Sequence, residues 1–298
     1  MTAQGRFAGV ELGGTKTIAL LARGEEIVER VHFETRTPAD TLSAVNKQLR
    51  EWNEIAAFDA VGIASFGPIQ LQRGDDNFGC MLQTPKAGWA GADVSGALMY
   101  GLACPMALDT DVNGAAIAEH LWGGGKGIGS LWYITVGTGL GGGFLANGHP
   151  VHGAMHPEIG HIRVRRSSEG FEGVCPFHRD CIEGLVSGPA LARRFEAKVE
   201  TVGDDDLRWQ SVADDLAELM ATLFLTTSAE RILLGGTVMT KRSFLIPMIR
   251  AATLDSLAGY LPFVSSENID GRIMLAQLGE EAGPQGSIAL AMSALPAC

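Results

Sequence analysis

The chain has 298 residues, 46% of them hydrophobic, enough to bury a sizeable core and to suggest two domains. Its 34 acidic against 23 basic side chains leave a formal net charge of −11, which argues against a nucleic-acid surface, and no apolar stretch is long enough to span a bilayer. Five cysteines, an odd number, and no secretory apolar stretch after Met1 point to a reducing, cytoplasmic setting, with neither membrane nor nucleic acid as partner.

In chain order, F-A-G-V-E-L (7–12), T-I-A-L-L-A (17–22) and I-V-E-R-V-H-F (27–33) read as a three-stranded meander. Residues 40–52 carry helical spacing in Leu42, Val45, Leu49 and Trp52, with Asp40 as N-cap. Short buried strands at 60–65 and 106–109 lead to a helix near 115–122. The pattern then restarts. L-W-Y-I-T-V, F-L-A-N-G and I-R-V-R (162–165) read as a second meander, in which Arg163, Arg165 and Arg166 alternate along a strand. A helix around 212–226, the strands R-I-L-L-G-G and R-I-M-L-A, and a terminal helix from Ser287 complete it. Two such units imply a duplicated α/β architecture. The expected division is 1–114 and 115–298, with the C-terminal helix available to pack back on the first lobe.

Each half carries a Gly/Thr turn between its first two strands, Gly13-Gly14-Thr15-Lys16 and Gly137-Thr138-Gly139. Glycine lets the backbone approach closely and aim its N–H groups at an anion, so paired turns at equivalent positions suit phosphates better than two unrelated hairpins. Gly137, Gly139 and Gly142 also fit G-x-G-x-x-G, but a strand rather than a helix follows, which excludes a Rossmann unit. Gly125-Lys126 lacks the Ser/Thr of a Walker A loop.

His161, Cys175, His178 and Cys181 offer two imidazoles and two thiols, the donor set of a closed tetrahedral zinc site, with C-x2-H and H-x2-C spacings that one loop can wrap. A small disulfide between Cys175 and Cys181, or two ordinary buried cysteines, are the competing readings. Glu158 and Glu183 flank the set, so a metal there would also fix two carboxylates. D-T-D-V-N (109–113) ends a strand and opens a helix. One carboxylate there can serve as a cap; Asp111 read functionally is a general base for phosphoryl transfer, a reaction that needs positioning, charge neutralisation and one base.

With these motifs in place, the chain resembles the ROK family (repressor, open reading frame, kinase), and within it the bacterial fructokinase branch. E-L-G-G-T-K-T and I-T-V-G-T-G-L-G-G-G look like its two phosphate motifs, S-F-G-P and T-P-K-A-G-W its sugar-side loops, and D-T-D-V-N-G-A-A its catalytic segment. H-P-E-I-G-H and C-P-F-H-R-D-C-I-E-G-L-V-S-G-P-A resemble its sugar and zinc segments, and L-L-G-G its adenosine-side turn. The resemblance implies a two-lobed actin-like ATPase (ribonuclease H-like) fold, with ATP and Mg²⁺ in the interlobe cleft, a structural Zn²⁺, and a homodimer. It implies transfer of phosphate to a hexose, D-fructose giving fructose 6-phosphate before glucose or mannose, rather than a sugar-responsive repressor, whose N-terminal helix-turn-helix has no counterpart before Phe7. Asp111 would be the base; Asn113, Glu158, His161 and Glu183 would bind sugar. Gly13, Gly14, Thr15, Lys16, Gly137, Thr138, Gly139, Pro189, Gly235 and Gly236 would lie towards the nucleotide. Glu11 stands where the broader family has Asp.

Overall fold

The structure is a computed structural model that describes residues 5–166 and 170–295. The elements run β1 (Arg6–Leu12), β2 (Lys16–Arg23), β3 (Glu26–Glu34), α1 (Pro38–Ile55), β4 (Ala60–Ser65), α2 (Val94–Met99), β5 (Met106–Thr110) and α3 (Asp111–Trp122). After them come β6 (Ser130–Val136), β7 (Leu140–Ala146), β8 (His149–Pro150), α4 (Ile182–Val186), α5 (Gly188–Phe195), α6 (Arg208–Thr227), β9 (Arg231–Gly235), α7 (Gly236–Lys241), α8 (Leu245–Leu257), α9 (Ile269–Arg272), β10 (Ile273–Leu275) and α10 (Ala282–Ser293). They fall into two compact units. The first holds the chain up to Ala118, the short segment Pro150–His156 and everything from Glu280; the second holds Glu119–His149 and Pro157–Gly279.

The two sheets share one plan. In the first unit the order is β3-β2-β1-β4-β5, with β1–β3 an antiparallel meander and β1, β4 and β5 parallel. In the second, read from its other edge, the order is β8-β7-β6-β9-β10, with β6 antiparallel to β7 and parallel to β9. The duplication read from the two glycine turns is thus a duplication of strand order. Parallel strands deliver their carboxyl ends to one edge of a sheet, where α/β folds bind ligands. Glu11, Ala64 and Asp109 lie in register across β1, β4 and β5, so the chain emerges at 12–16, 65–67 and 110–113 along one edge.

Strand alternation sorts the core of the first unit. Ala8, Val10 and Leu12 face α1 in a cluster with Val45, Leu49 and Trp52, while Phe7 and, on the neighbouring strand, Ile18 and Leu20 face α10 through Ile288 and Ala291. The α10 face of β1 also carries Gly9 and Glu11. A Cβ on Gly9 would lie 2.3 Å from Ser287 Oγ, and one on Gly62 of β4 would lie 1.9 Å from the Ser287 carbonyl oxygen. The second unit buries α4, α6 and α8 against β6 and β9 around Trp209, Phe224 and Leu234.

Three local expectations change. Helix α1 begins at Pro38, because Thr37 is the N-cap and its Oγ1 accepts the Asp40 N–H (3.2 Å); proline suits the first turn, where its missing N–H has no partner to lose. The third strand of the second meander is His149–Pro150. Residues 162–165 form no strand: the Ile162 carbonyl accepts the Ile182 N–H (2.9 Å) and Arg163 bonds Asp180 (3.1 Å), so this run is committed to the cysteine loop and the arginines do not alternate along a ladder. Helix α10 starts five residues before Ser287, since Gly283, Pro284 and Gly286 hide its first turn from a propensity reading. Among the described residues, no helix is long and apolar enough to cross a membrane.

Gly62→Ala is expected to lift α10 off β4 and to cost about 3 kcal/mol, the upper range for overpacking, whereas Gly271→Ala, whose new Cβ meets nothing within 4 Å, should be close to neutral. Urea denaturation midpoints of the two variants check the contrast.

Candidate functional site

In the first unit the carboxyl ends of β1 and β5 gather the acidic groups. The turn after β1 is tight, with Gly13 N–H bonded to the Lys16 carbonyl (3.1 Å), and Gly14, Thr15 and Lys16 are exposed. Buried Thr35 braces it: its Oγ1 donates to the Gly13 carbonyl (2.8 Å) and its N–H to that of Thr15 (3.0 Å). Lys86, from T-P-K-A-G-W, bonds the Gly14 carbonyl (2.5 Å), so this loop reaches the first glycine turn.

At the β5–α3 junction, buried Asp109 points back into the structure. Its Oδ1 accepts the Thr110 N–H (2.7 Å), the Asn113 Nδ2 (2.7 Å) and the His152 Nε2 (3.1 Å). The helix is capped by Thr110, whose Oγ1 accepts the Asn113 N–H (3.2 Å). That leaves Asp111 free of a capping duty beyond its own Oδ1 accepting the Val112 N–H (2.9 Å). Burial pushes the Asp111 carboxyl up to about 6, against hydrogen bonds from the backbone that favour its charge. Glu11 is pushed to about 7, by burial first and by the charge of Asp111 second, with Lys16 opposing. Two acids with elevated pKa at one strand edge mark it as a candidate functional site. His152 and His156 were not singled out from sequence. Both lie in Pro150–His156, which joins the first unit: His156 Nε2 accepts the Ile69 N–H (3.2 Å), and the pairing with Asp109 raises the pKa of His152. Their four-residue spacing just ahead of P-E-I-G-H was the available signal.

In the second unit the cysteine loop closes on itself. Cys175 and Arg179 exchange backbone bonds (3.2 and 2.9 Å), and Gly184 passes so close that a Cβ would sit 1.9 Å from the Arg179 carbonyl oxygen. The donor atoms of His161, Cys175, His178 and Cys181 all lie within 4.8 Å of one another. Neither thiol is in a disulfide. His161 Nδ1 is 3.7 Å from Cys175 Sγ and 3.6 Å from Cys181 Sγ, and His178 Nδ1 is 3.9 Å from Cys175 Sγ. Sulfur and nitrogen ligands across a tetrahedral zinc would be about 3.6 Å apart, so this donor set fits the ion. With no metal, burial pushes the Cys181 thiol up to about 12, so a metal held here displaces that proton.

The flanking carboxylates sit differently. Glu158 precedes the 3-10 turn Ile159–His161, whose last N–H it holds through its carbonyl (3.1 Å). Glu183, in α4, accepts the Leu140 N–H (3.1 Å) through Oε2, and a Cβ on Gly139 would come 2.8 Å from that oxygen. The second glycine turn therefore divides: Gly139 abuts Glu183, while Gly137 and Thr138 line a cavity of about 610 Å³ together with Gly188, Pro189, Thr237 and Lys241. Gly235 and Gly236 stand at the β9–α7 corner beside it; Gly236 has φ +83° and is pressed against the Val136 backbone. Gly142, the third glycine of the apparent dinucleotide motif, lies in β7 opposite Ile134 and makes room for Ile159.

The description of the ROK family matches residues 7–294. A fructokinase of Zymomonas mobilis is 38% identical over 297 residues, covering 97% of this chain and 97% of that protein. A fructokinase of Pediococcus pentosaceus is 35% identical over 291 residues, covering 97% and 98%. Among solved structures, a ROK family glucokinase of Streptomyces griseus, crystallised with glucose and AMPPNP, superposes with a TM-score of 0.75 at 24% identity, over 97% of this chain and 100% of that one. That likeness and the repeated strand order identify the fold as actin-like ATPase. With a match spanning nearly its whole length and relatives this similar end to end, the chain belongs to the ROK family.

Proposed function

We propose that this protein transfers the γ-phosphoryl group of ATP to a hexose, with D-fructose the preferred acceptor and fructose 6-phosphate the product. Asp111 is the general base, accepting the proton of the attacking hydroxyl. The observation that carries this reading is its placement: a carboxylate at a strand end, relieved of capping by Thr110, with a pKa of about 6 that suits proton acceptance near neutrality. The two relatives named above, both fructokinases, support the acceptor and the reaction. Mg²⁺ accompanying ATP would neutralise phosphate charge.

The other residues take roles consistent with their surroundings. The cavity at Gly137, Thr138 and Pro189 has the size of a ligand pocket and receives the nucleotide, with Gly235 and Gly236 just before its lining residue Thr237. Gly13, Gly14, Thr15 and Lys16 form the other phosphate-gripping turn, and Asn113, Glu158, His161 and Glu183 hold sugar hydroxyls. His161 brings Nδ1 to the thiols, which leaves its Nε2 for a hydroxyl. Zinc held by His161, Cys175, His178 and Cys181 would fix the loop that carries Glu183 and the turn that follows Glu158. A second reading, glucokinase or mannokinase, keeps every role and changes only the hydroxyl pattern recognised; the glucose held by the Streptomyces griseus structure favours testing it.

Asp111→Asn is expected to lower kcat by at least about 10³-fold while sugar affinity survives. In the parent enzyme kcat/KM should fall as the pH drops through about 6, because protonation removes the base. The same variant should be more stable than the parent at pH 7. A carboxyl whose folded pKa is raised from 3.8 contributes stability below that value and loses it as pH rises through about 6, so the ionised Asp111 costs on the order of 1–3 kcal/mol at neutrality. The gain should vanish near pH 4 in paired thermal melts.

Elemental analysis should find one zinc per chain. Chelation should abolish sugar turnover before the far-ultraviolet circular dichroism changes, since most of the core cluster around Trp209, Phe224 and Leu234 is built from elements outside the loop. Simultaneous loss of both would contradict a bracing role.

A coupled ADP-release assay with ATP·Mg²⁺ against fructose, glucose, mannose and N-acetylmannosamine should favour fructose by at least about tenfold in kcat/KM. Preference for glucose would move the assignment to the second reading, and no sugar-dependent turnover would remove both.

A further inference from the structure

Asn113 is buried, and its amide is asymmetrically served. Nδ2 donates to Asp109 Oδ1 at 2.7 Å, whereas Oδ1 is buried with no hydrogen-bond partner among the described residues. Buried amide oxygens without a donor are rare and costly, and one at the proposed sugar end is the mark of an acceptor kept open for a ligand's hydroxyl.

The orientation of that amide is set by its neighbours. Were it flipped, Oδ1 would face the Asp109 carboxylate and two acceptors would meet. Asp109 in turn is held by the Thr110 N–H and by His152 Nε2, which stands 3.1 Å from the carboxylate and 3.2 Å from Asn113 Nδ2. Both nitrogens donate to the same carboxylate, which holds the imidazole beside the amide. The segment that carries His152 is itself anchored at two further points: Gln72 Nε2 donates to the Ala154 carbonyl (3.0 Å) and His156 accepts the Ile69 N–H (3.2 Å).

From this geometry we propose that His152 is a positioning residue for substrate: acting through Asp109, it fixes Asn113 as a hydrogen-bond acceptor that recognises one hydroxyl hydrogen of the sugar. The inference rests on the sugar-kinase reading above and adds to it a residue and a polarity. The bonds of His152 run to Asp109 and Asn113, so its contribution belongs to sugar affinity and not to the chemical step.

The test compares the parent enzyme with His152→Ala and His152→Gln, using fructose (or whichever hexose the panel prefers) and its monodeoxy analogues. His152→Ala should raise the sugar KM about tenfold, leave the KM for ATP unchanged and keep kcat within about threefold; His152→Gln, whose amide places an N–H donor near the position of Nε2, should recover most of the loss. One monodeoxy analogue should bind the parent about tenfold more weakly yet show no further weakening in His152→Ala, because hydroxyl and histidine act through the same acceptor. Melting temperatures separate this from unfolding: a variant as stable as the parent with an unchanged sugar KM overturns the inference, as does a loss that falls equally on sugar and ATP. If His152→Ala does not fold, the glutamine variant and the deoxy series decide alone, and a glutamine variant with weakened sugar binding equal for every analogue overturns it. A parent enzyme with no sugar turnover overturns the inference together with the reading it rests on, whereas an active parent with indifferent variants overturns the inference only.

Discussion

The site of the first unit depends on how closely α10 can approach the sheet. Side chains on β1 and β4 would hold a helix about 10 Å away, as facing layers normally sit. Here Gly9 and Gly62 present bare backbone, and the Ser287 turn of α10 settles directly on it. Gly286 makes a second such contact, since a Cβ there would be 2.4 Å from the Gly114 carbonyl carbon in the first turn of α3. The same helix passes Glu11 at Gly283, where a Cβ would be 2.1 Å from the carboxylate. One helix, packed through glycines, thus fixes β1, β4 and the start of α3 relative to each other. Glu11 is squeezed between α10 and the strand edge, and Asp111 begins the helix that Gly286 pins. The raised pKa values follow: this packing strips both carboxylates of part of the water that would stabilise their charge.

This packing explains what a reading of the sequence could reach. The duplication was legible because each meander is announced by a glycine turn at the same offset, and because the buried strands are continuous apolar runs. The clustering of His161, Cys175, His178 and Cys181 was legible because their spacing is local and their chemistry distinctive. Asp111 was singled out from Asp109 through the family resemblance and not through local pattern: which of two neighbouring carboxylates turns inward depends on Asn113 and His152, and His152 is thirty-nine residues away from Asn113. Residues 162–165 show the opposite failure. Their alternation is real, but the backbone bonds that would make a strand are taken by Ile182, and no local pattern reports a competitor at that distance. The start of α10 was hidden because the glycines that make the helix useful are those that argue against it.

In the second unit the same economy of backbone contacts ties the proposed metal loop to the phosphate turn. Cys181 stands at the N-cap of α4, Glu183 in its first turn reaches the Leu140 N–H, and the Gly188 N–H that opens α5 bonds the Gly137 carbonyl (2.7 Å). The eight residues Cys181–Gly188 therefore run from the Cys181 sulfur to both sides of the Gly137–Gly139 turn. Anything that fixes Cys181 restricts the carboxylate of Glu183 and the peptide of Gly137 together. A loop ordered only by its own hydrogen bonds would let each move independently, because the bonds that close it are few and lie at its rim. A tetrahedral ion with two buried thiolates, as proposed for this loop, would remove that freedom at its source. Two residues beyond Cys181, Glu183 is near enough to share in any rigidity that the proposed metal would impose there, while its carboxylate is committed to the Leu140 N–H.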